Sequence, residues 1–154
     1  MLEGLFGLIR CLLLSAGMFS AVWTDWMERK IPNRSLTIML LEGILLAAVE
    51  DGVYMEFRSL PGAAAGFFVG GCVCLTGYLV TGGGIGAGDV KLFAVVGCYL
   101  GYGSILRIFA DTMILAGAVC IGLLITGKVQ RKQNLPLSPF VAAAVMRECF
   151  FRQL

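Results

Sequence analysis

The 154-residue sequence contains no histidine. That absence removes His-based metal centres and the Ser–His and Cys–His forms of nucleophilic catalysis. Charge is nearly as scarce. Asp, Glu, Lys and Arg make up 14% of the residues, where a soluble domain carries about a quarter. A net charge of +2 is too small to indicate nucleic-acid binding. Six cysteines fall at 11, 72, 74, 98, 120 and 149, with no C-x-x-C pair among them. All but Cys149 lie in apolar runs, and Cys72 and Cys74 point in different directions on a helix. They read as small apolar residues, and no metal site or cofactor is expected. The first apolar run is too long for a signal-peptide core and lacks a small-x-small cleavage site after it, so it reads as a retained span.

What the chain has in quantity is apolar surface. It is 58% hydrophobic with a mean hydropathy of +0.88. No soluble fold of this size has interior enough to bury that much. Apolar runs occupy residues 4–24, 31–49, 60–81, 90–102, 104–126 and 135–146. A bilayer core takes about 20 residues of helix, and lipid tolerates only backbones that satisfy their own hydrogen bonds. The expected fold is therefore all-α: one polytopic bundle of about six transmembrane helices over residues 1–154, with no soluble domain.

Loop charge orients it. The loops after the first, third and fifth runs carry Arg29, Lys30, Arg34, Lys91, Lys128, Arg131 and Lys132. The other side has Arg58, Arg147 and Arg152, with Glu50, Asp51 and Glu56 among them. The positive-inside rule assigns the first set to the cytoplasm and leaves both termini outside.

Two polar loops share the cytoplasmic side, TDWMERKIPNRS at 24–35 and GGGIGAGDVKLF at 82–93. Each brings an aspartate to a helix end: Asp25 closes the first span and Asp89 opens the fourth. Taken singly, Asp25 is a polar residue ending a span and Asp89 an N-cap. Taken together, on one membrane face and beside a glycine loop that permits close approach, they suggest a pair. Two carboxylates on one cavity can hydrolyse a peptide bond without metal or covalent intermediate. One acts as base on water and the other as acid on the carbonyl oxygen, and they titrate as a unit.

GIGAGDVKLF (84–93) resembles the G-x-G-D-x-K-L signature of type IV prepilin peptidases. DWMERKIPN (25–33) resembles that family's first motif, and LPLSPFVAAA (135–144) its P-x-x-P-F segment. The three stand in family order across almost the whole chain. Presenilin-type proteases share G-x-G-D, but the K-L continuation and the I-P-N loop favour the prepilin branch. The resemblance implies an intramembrane aspartic endopeptidase in a prokaryotic cell membrane. Such an enzyme cuts the short basic leader from type IV or Flp-type pilin precursors at the cytoplasmic face. It implies Asp25 and Asp89 as the catalytic pair. Gly84, Gly86 and Gly88 would shape the site with Pro32 and Asn33, while Lys91 either holds it electrostatically or snorkels to the surface. Larger relatives carry an N-terminal cytoplasmic segment with paired cysteines, and many also N-methylate their product. This chain shows neither that segment nor the cysteine pairs, so methyltransferase activity is not expected. Its size is similar to that of the short peptidases of tight-adherence pili. The LSPF of the closing motif, in place of a commoner small-residue version, reads as a neutral variation.

Charges inside apolar runs mark function or helix–helix glue. Arg10 and Glu42 are expected to meet between helices, and Arg107 and Asp111 to pair along one helix face. The alternative to a peptidase is a small carrier or assembly subunit with Glu42, Arg107 and Asp111 as a polar path. Gly62, Gly66 and Gly70 form a small-residue stripe that suits packing within the chain or a homo-oligomer.

Overall fold

The computed structural model describes residues 2–28, 31–82, 85–126 and 137–153. Arg29, Lys30, Gly84, Leu135 and Pro136, which the motifs include, and the loop charges Lys128, Arg131 and Lys132 lie outside them. The described residues form five helices and no strands: α1 (Leu2–Glu28), α2 (Asn33–Tyr54), α3 (Ser59–Val80), α4 (Ala87–Ile125) and α5 (Ser138–Gln153). Three of these contain stretches long and apolar enough to cross a membrane, namely Gly4–Met27, Ser59–Val80 and Ala87–Leu123. The all-helical membrane architecture thus follows from the apolar runs.

The expected spans 90–102 and 104–126 are one element, α4, broken at Gly101 (φ 80°, ψ 171°). Only glycine visits that region readily. The chain folds back there. Phe93 and Phe109 meet edge-on with ring centroids 5.4 Å apart, whereas that stretch of unbroken helix would span about 24 Å. α4 is therefore a hairpin of segments 87–100 and 102–125, and the chain has six helical segments among the described residues.

Segment 87–100 is the centre of the bundle. Every residue from 92 to 100 is buried, the signature of a helix enclosed on all sides. Leu14, Met18 and Ala21 of α1, Met39 of α2, Cys74 of α3 and Val141 and Val145 of α5 belong to the same core. The tightest contact is with α3. A Cβ added at Gly66 would stand 2.0 Å from the Gly97 carbonyl oxygen, and one at Gly97 2.1 Å from that of Gly66. Gly70 backs onto the Phe93 carbonyl in the same way, at 2.5 Å. Of the small-residue stripe, Gly66 and Gly70 are thus engaged within the chain, while Gly62 faces open space.

α2 and α5 run further than the expected spans, because the charges at their ends have partners. Glu50 pairs with Arg10 of α1, Arg147 with Asp111 and Glu148 with Arg107 of α4. Asp51 caps the next helix: its carboxylate accepts the N–H groups of Arg58 (3.1 Å), Ser59 (2.6 Å) and Leu60 (2.9 Å). Burial pushes the Asp51 carboxyl up, but the N–H groups of Leu60, Ser59 and Arg58 outweigh it and hold the group below its ordinary value.

A side chain at Gly66 would meet backbone, which cannot step aside. Gly66→Ala is expected to destabilise the protein by about 1–3 kcal/mol. Gly62→Ala, with nothing near the added carbon, should leave stability unchanged or raise it. Thermal unfolding in detergent compares the two, and equal losses would contradict the packing.

Candidate active site

The cavity is lined from three helix ends. α1 contributes Asp25, only 9% exposed, close to its C-terminus. Pro32, in extended backbone (φ −66°, ψ 131°), starts α2. Proline fixes φ there and has no N–H for the first turn to lose. Ile31 and Asn33, on either side of Pro32, both line the site.

The third end is the start of α4. Gly86 stands before the helix and Asp89 in its first turn. The Gly86 carbonyl accepts the N–H of Asp89 at 3.0 Å, and the Gly86 N–H donates to Asp89 Oδ2 at 3.3 Å. This is the reciprocal half of a capping box, with the carboxylate reaching back to the residue before the helix. It fixes the Asp89 side chain without using its second oxygen. An added Cβ at Gly86 would stand 3.0 Å from that carboxylate, and one at Gly88 3.7 Å from Ile31. Lys91 Nζ donates to Asn33 Oδ1 at 2.9 Å, tying α4 to α2 across the mouth.

Asp25 and Asp89 line one cavity of about 350 Å³, with Ile31, Asn33, Gly86, Ala87, Gly88 and Lys91. Each carboxylate lies within the other's electrostatic reach. Of the residues the motifs single out, Asp25, Asp89, Gly86, Gly88, Lys91 and Asn33 come together here. Pro32 sits beside the cavity as a backbone element, and Gly84 is outside the described residues. Lys91 is exposed, with its ammonium bonded to Asn33.

Sequence reasoning missed one member. Ser138, fully buried at the start of α5, donates its hydroxyl to Asp25 Oδ2. The signal was the hydroxyl in LSPF, the one polar side chain opening an otherwise apolar helix start.

A larger cavity, about 820 Å³, opens at the other end of the helices around Arg10, Glu50, Gly101, Arg107 and Glu148. Its charges meet across helices and not as expected. Arg10 pairs with Glu50, because these two lie about equally far from the end of α1 and the start of α2, respectively. Glu42 instead accepts the Tyr99 hydroxyl at 3.5 Å. Arg107 lies 3.7 Å from Glu148, and Asp111 pairs with Arg147, so the expected pair along α4 is replaced by two bridges to α5.

A family model described as the type IV leader peptidase family matches residues 12–146, which include Asp25, Asp89 and Ser138. The chain belongs to that family. Among relatives, the prepilin leader peptidase/N-methyltransferase of Bacillus subtilis (strain 168) is 34% identical over 78% of this chain and 46% of its own length. The protein of that name from Aeromonas hydrophila is 28% identical over 90% of this chain and 48% of its own. Leader peptidase HopD of Escherichia coli is 42% identical over 62 residues, 40% of each chain. This leader peptidase family member thus spans about half the length, or less, of the curated relatives it matches. No solved structure matches it.

The Lys91–Asn33 bond predicts a measurable coupling. In a double-mutant cycle of Asn33→Ala and Lys91→Ala, unfolding in detergent should show a favourable coupling of about 0.5–1.5 kcal/mol. Strictly additive losses would mean that the two side chains act independently.

Proposed function

We propose that the chain is an intramembrane aspartic endopeptidase that removes the short basic leader from a type IV or Flp-type pilin precursor at the cytoplasmic membrane face. One observation carries this: the aspartates of two separate family motifs line the same cavity. The relatives' printed names, all leader peptidases, agree with it. One relative is named as a leader peptidase alone, and we extend the proposal to leader cleavage and not to N-methylation.

The chemistry needs only the two carboxylates sharing one proton. The unprotonated member takes a proton from water as the water oxygen bonds to the scissile carbonyl carbon. The protonated member gives its proton to the carbonyl oxygen. As the tetrahedral intermediate collapses, the newly protonated carboxyl delivers its proton to the departing nitrogen and the C–N bond breaks. A hydroxyl of the intermediate returns its proton to the other carboxylate, so the pair ends with one proton again. Two carboxylates on one cavity favour holding one proton between them.

The placement supports the substrate class. Arg34 and Lys91 stand exposed at the cavity end of the bundle, while Glu50, Asp51 and Glu56 mark the other end. By the positive-inside rule the cavity faces the cytoplasm. Six helical segments, each read as a crossing, return the C-terminus to the side of the N-terminus, outside. A precursor with its basic leader in the cytoplasm and its apolar segment in the bilayer would present the junction at this depth. The carrier alternative has less support, because Glu42, Arg107 and Asp111 are each engaged by a neighbouring residue.

The test is cleavage of leader-bearing prepilins by the purified protein in detergent, read by mass. Wild type should cleave. Asp25→Asn and Asp89→Asn should each lower kcat by at least about a thousandfold, while Glu42→Gln retains activity. The pH–rate profile should be bell-shaped, as for a pair sharing one proton. Cleavage that survives either aspartate substitution would overturn the mechanism.

A further inference from the structure

We infer that Ser138 is a positioning residue for Asp25, so that the last helix completes the site that the two aspartates begin. The inference rests on the reading of Asp25 as catalytic. Ser138 is 0% exposed and its partner Asp25 9%, and the hydroxyl is directed at Asp25 Oδ2. A serine hydroxyl has a single proton, and here it is committed to one carboxylate oxygen. That distinguishes the two oxygens of Asp25. Oδ2 is held, and Oδ1 is left for water or for the proton shared with Asp89. Without the bond, the terminal torsion of an aspartate is broad and roughly two-fold.

The donor is itself well fixed. Leu137 stands before α5, its carbonyl accepting the N–H groups of Phe140 and Val141 at 3.1 and 3.2 Å. Pro139 lies in the first turn, where a ring-locked φ suits a helix start. Val141 and Val145, both 0% exposed, seat the following turns in the core. The hydroxyl therefore reaches Asp25 from a rigid element.

The two carboxylates are then anchored by different means. Asp89 is held by a backbone N–H of its own loop, and Asp25 by a side chain from an element far along the sequence. A glycine or alanine at 138 cannot supply the bond; threonine can. The competing explanation is that Ser138 merely satisfies a buried hydroxyl and fills space at the α1–α5 contact.

The test is steady-state cleavage of a leader-bearing prepilin by the full chain in detergent, comparing Ser138→Ala, Ser138→Cys and Ser138→Thr. A positioning role predicts a fall in kcat of roughly 10- to 100-fold for Ser138→Ala with KM unchanged, as for loss of a hydrogen bond to a charged group. Ser138→Thr, which keeps the hydroxyl, should restore most of kcat. Ser138→Cys keeps the volume but donates weakly, so it should behave like Ser138→Ala; a space-filling role predicts wild-type rates for it. Wild-type kcat in Ser138→Ala or Ser138→Cys, or equal losses in Ser138→Ala and Ser138→Thr, would overturn the inference and leave the dyad standing. Undiminished cleavage by Asp25→Asn in the same assay would instead overturn the underlying reading, and the inference with it.

Discussion

The backbone contact between Gly66 and Gly97, with Gly70 against Phe93 one turn away, sets the depth of segment 87–100. Two helices approach this closely only where neither carries a side chain. The central segment is held along its length by α3 and surrounded by the other helices, so it cannot slide. Asp89 stands at its lower end and inherits that fixed position. Asp25 is brought to the same cavity by α1, whose Leu14, Met18 and Ala21 share the same core. The two carboxylates come to one cavity because the apolar packing leaves their helices one arrangement. The cavity is the place where this packing stops.

A carboxylate at the edge of an apolar bundle is costly unless it is hydrogen-bonded. Here each aspartate has one oxygen engaged, by Ser138 or by the Gly86 N–H. Partial satisfaction of this kind suits a reacting group: enough bonding to fix it, with an oxygen left over. At the other end of the bundle the charges are arranged differently. Arg10–Glu50, Arg107–Glu148 and Arg147–Asp111 bridge separate helices, and Asp51 caps α3. Those charges clamp helix ends.

Much of this was legible in the sequence, for identifiable reasons. Apolar runs interrupted by glycine and charge mark helices and their ends, and the division between runs 90–102 and 104–126 falls close to the Gly101 break. Asp25 and Asp89 were legible because each sits in a motif of unusual residues at a helix end. Cross-helix pairing was not legible. Whether Arg10 meets Glu42 or Glu50 depends on the register of α1 against α2, which no local pattern encodes. α2 and α5 outran the apolar runs for the same reason, since their terminal charges are tolerated only because partners wait on neighbouring helices. Ser138 reads as a neutral variation in the sequence because its partner is 113 positions away.

The central claim is spatial: Asp25 and Asp89 line one cavity of the folded membrane protein. The most direct measurement is thiol crosslinking in a background with the six native cysteines replaced. Asp25→Cys with Asp89→Cys would be treated with a short bifunctional thiol reagent in membranes, beside an Arg10→Cys, Asp89→Cys control from opposite ends of the bundle. The account predicts rapid intramolecular linkage of positions 25 and 89 and none in the control. Failure of the 25–89 pair to link, with both thiols reactive one at a time, would contradict it.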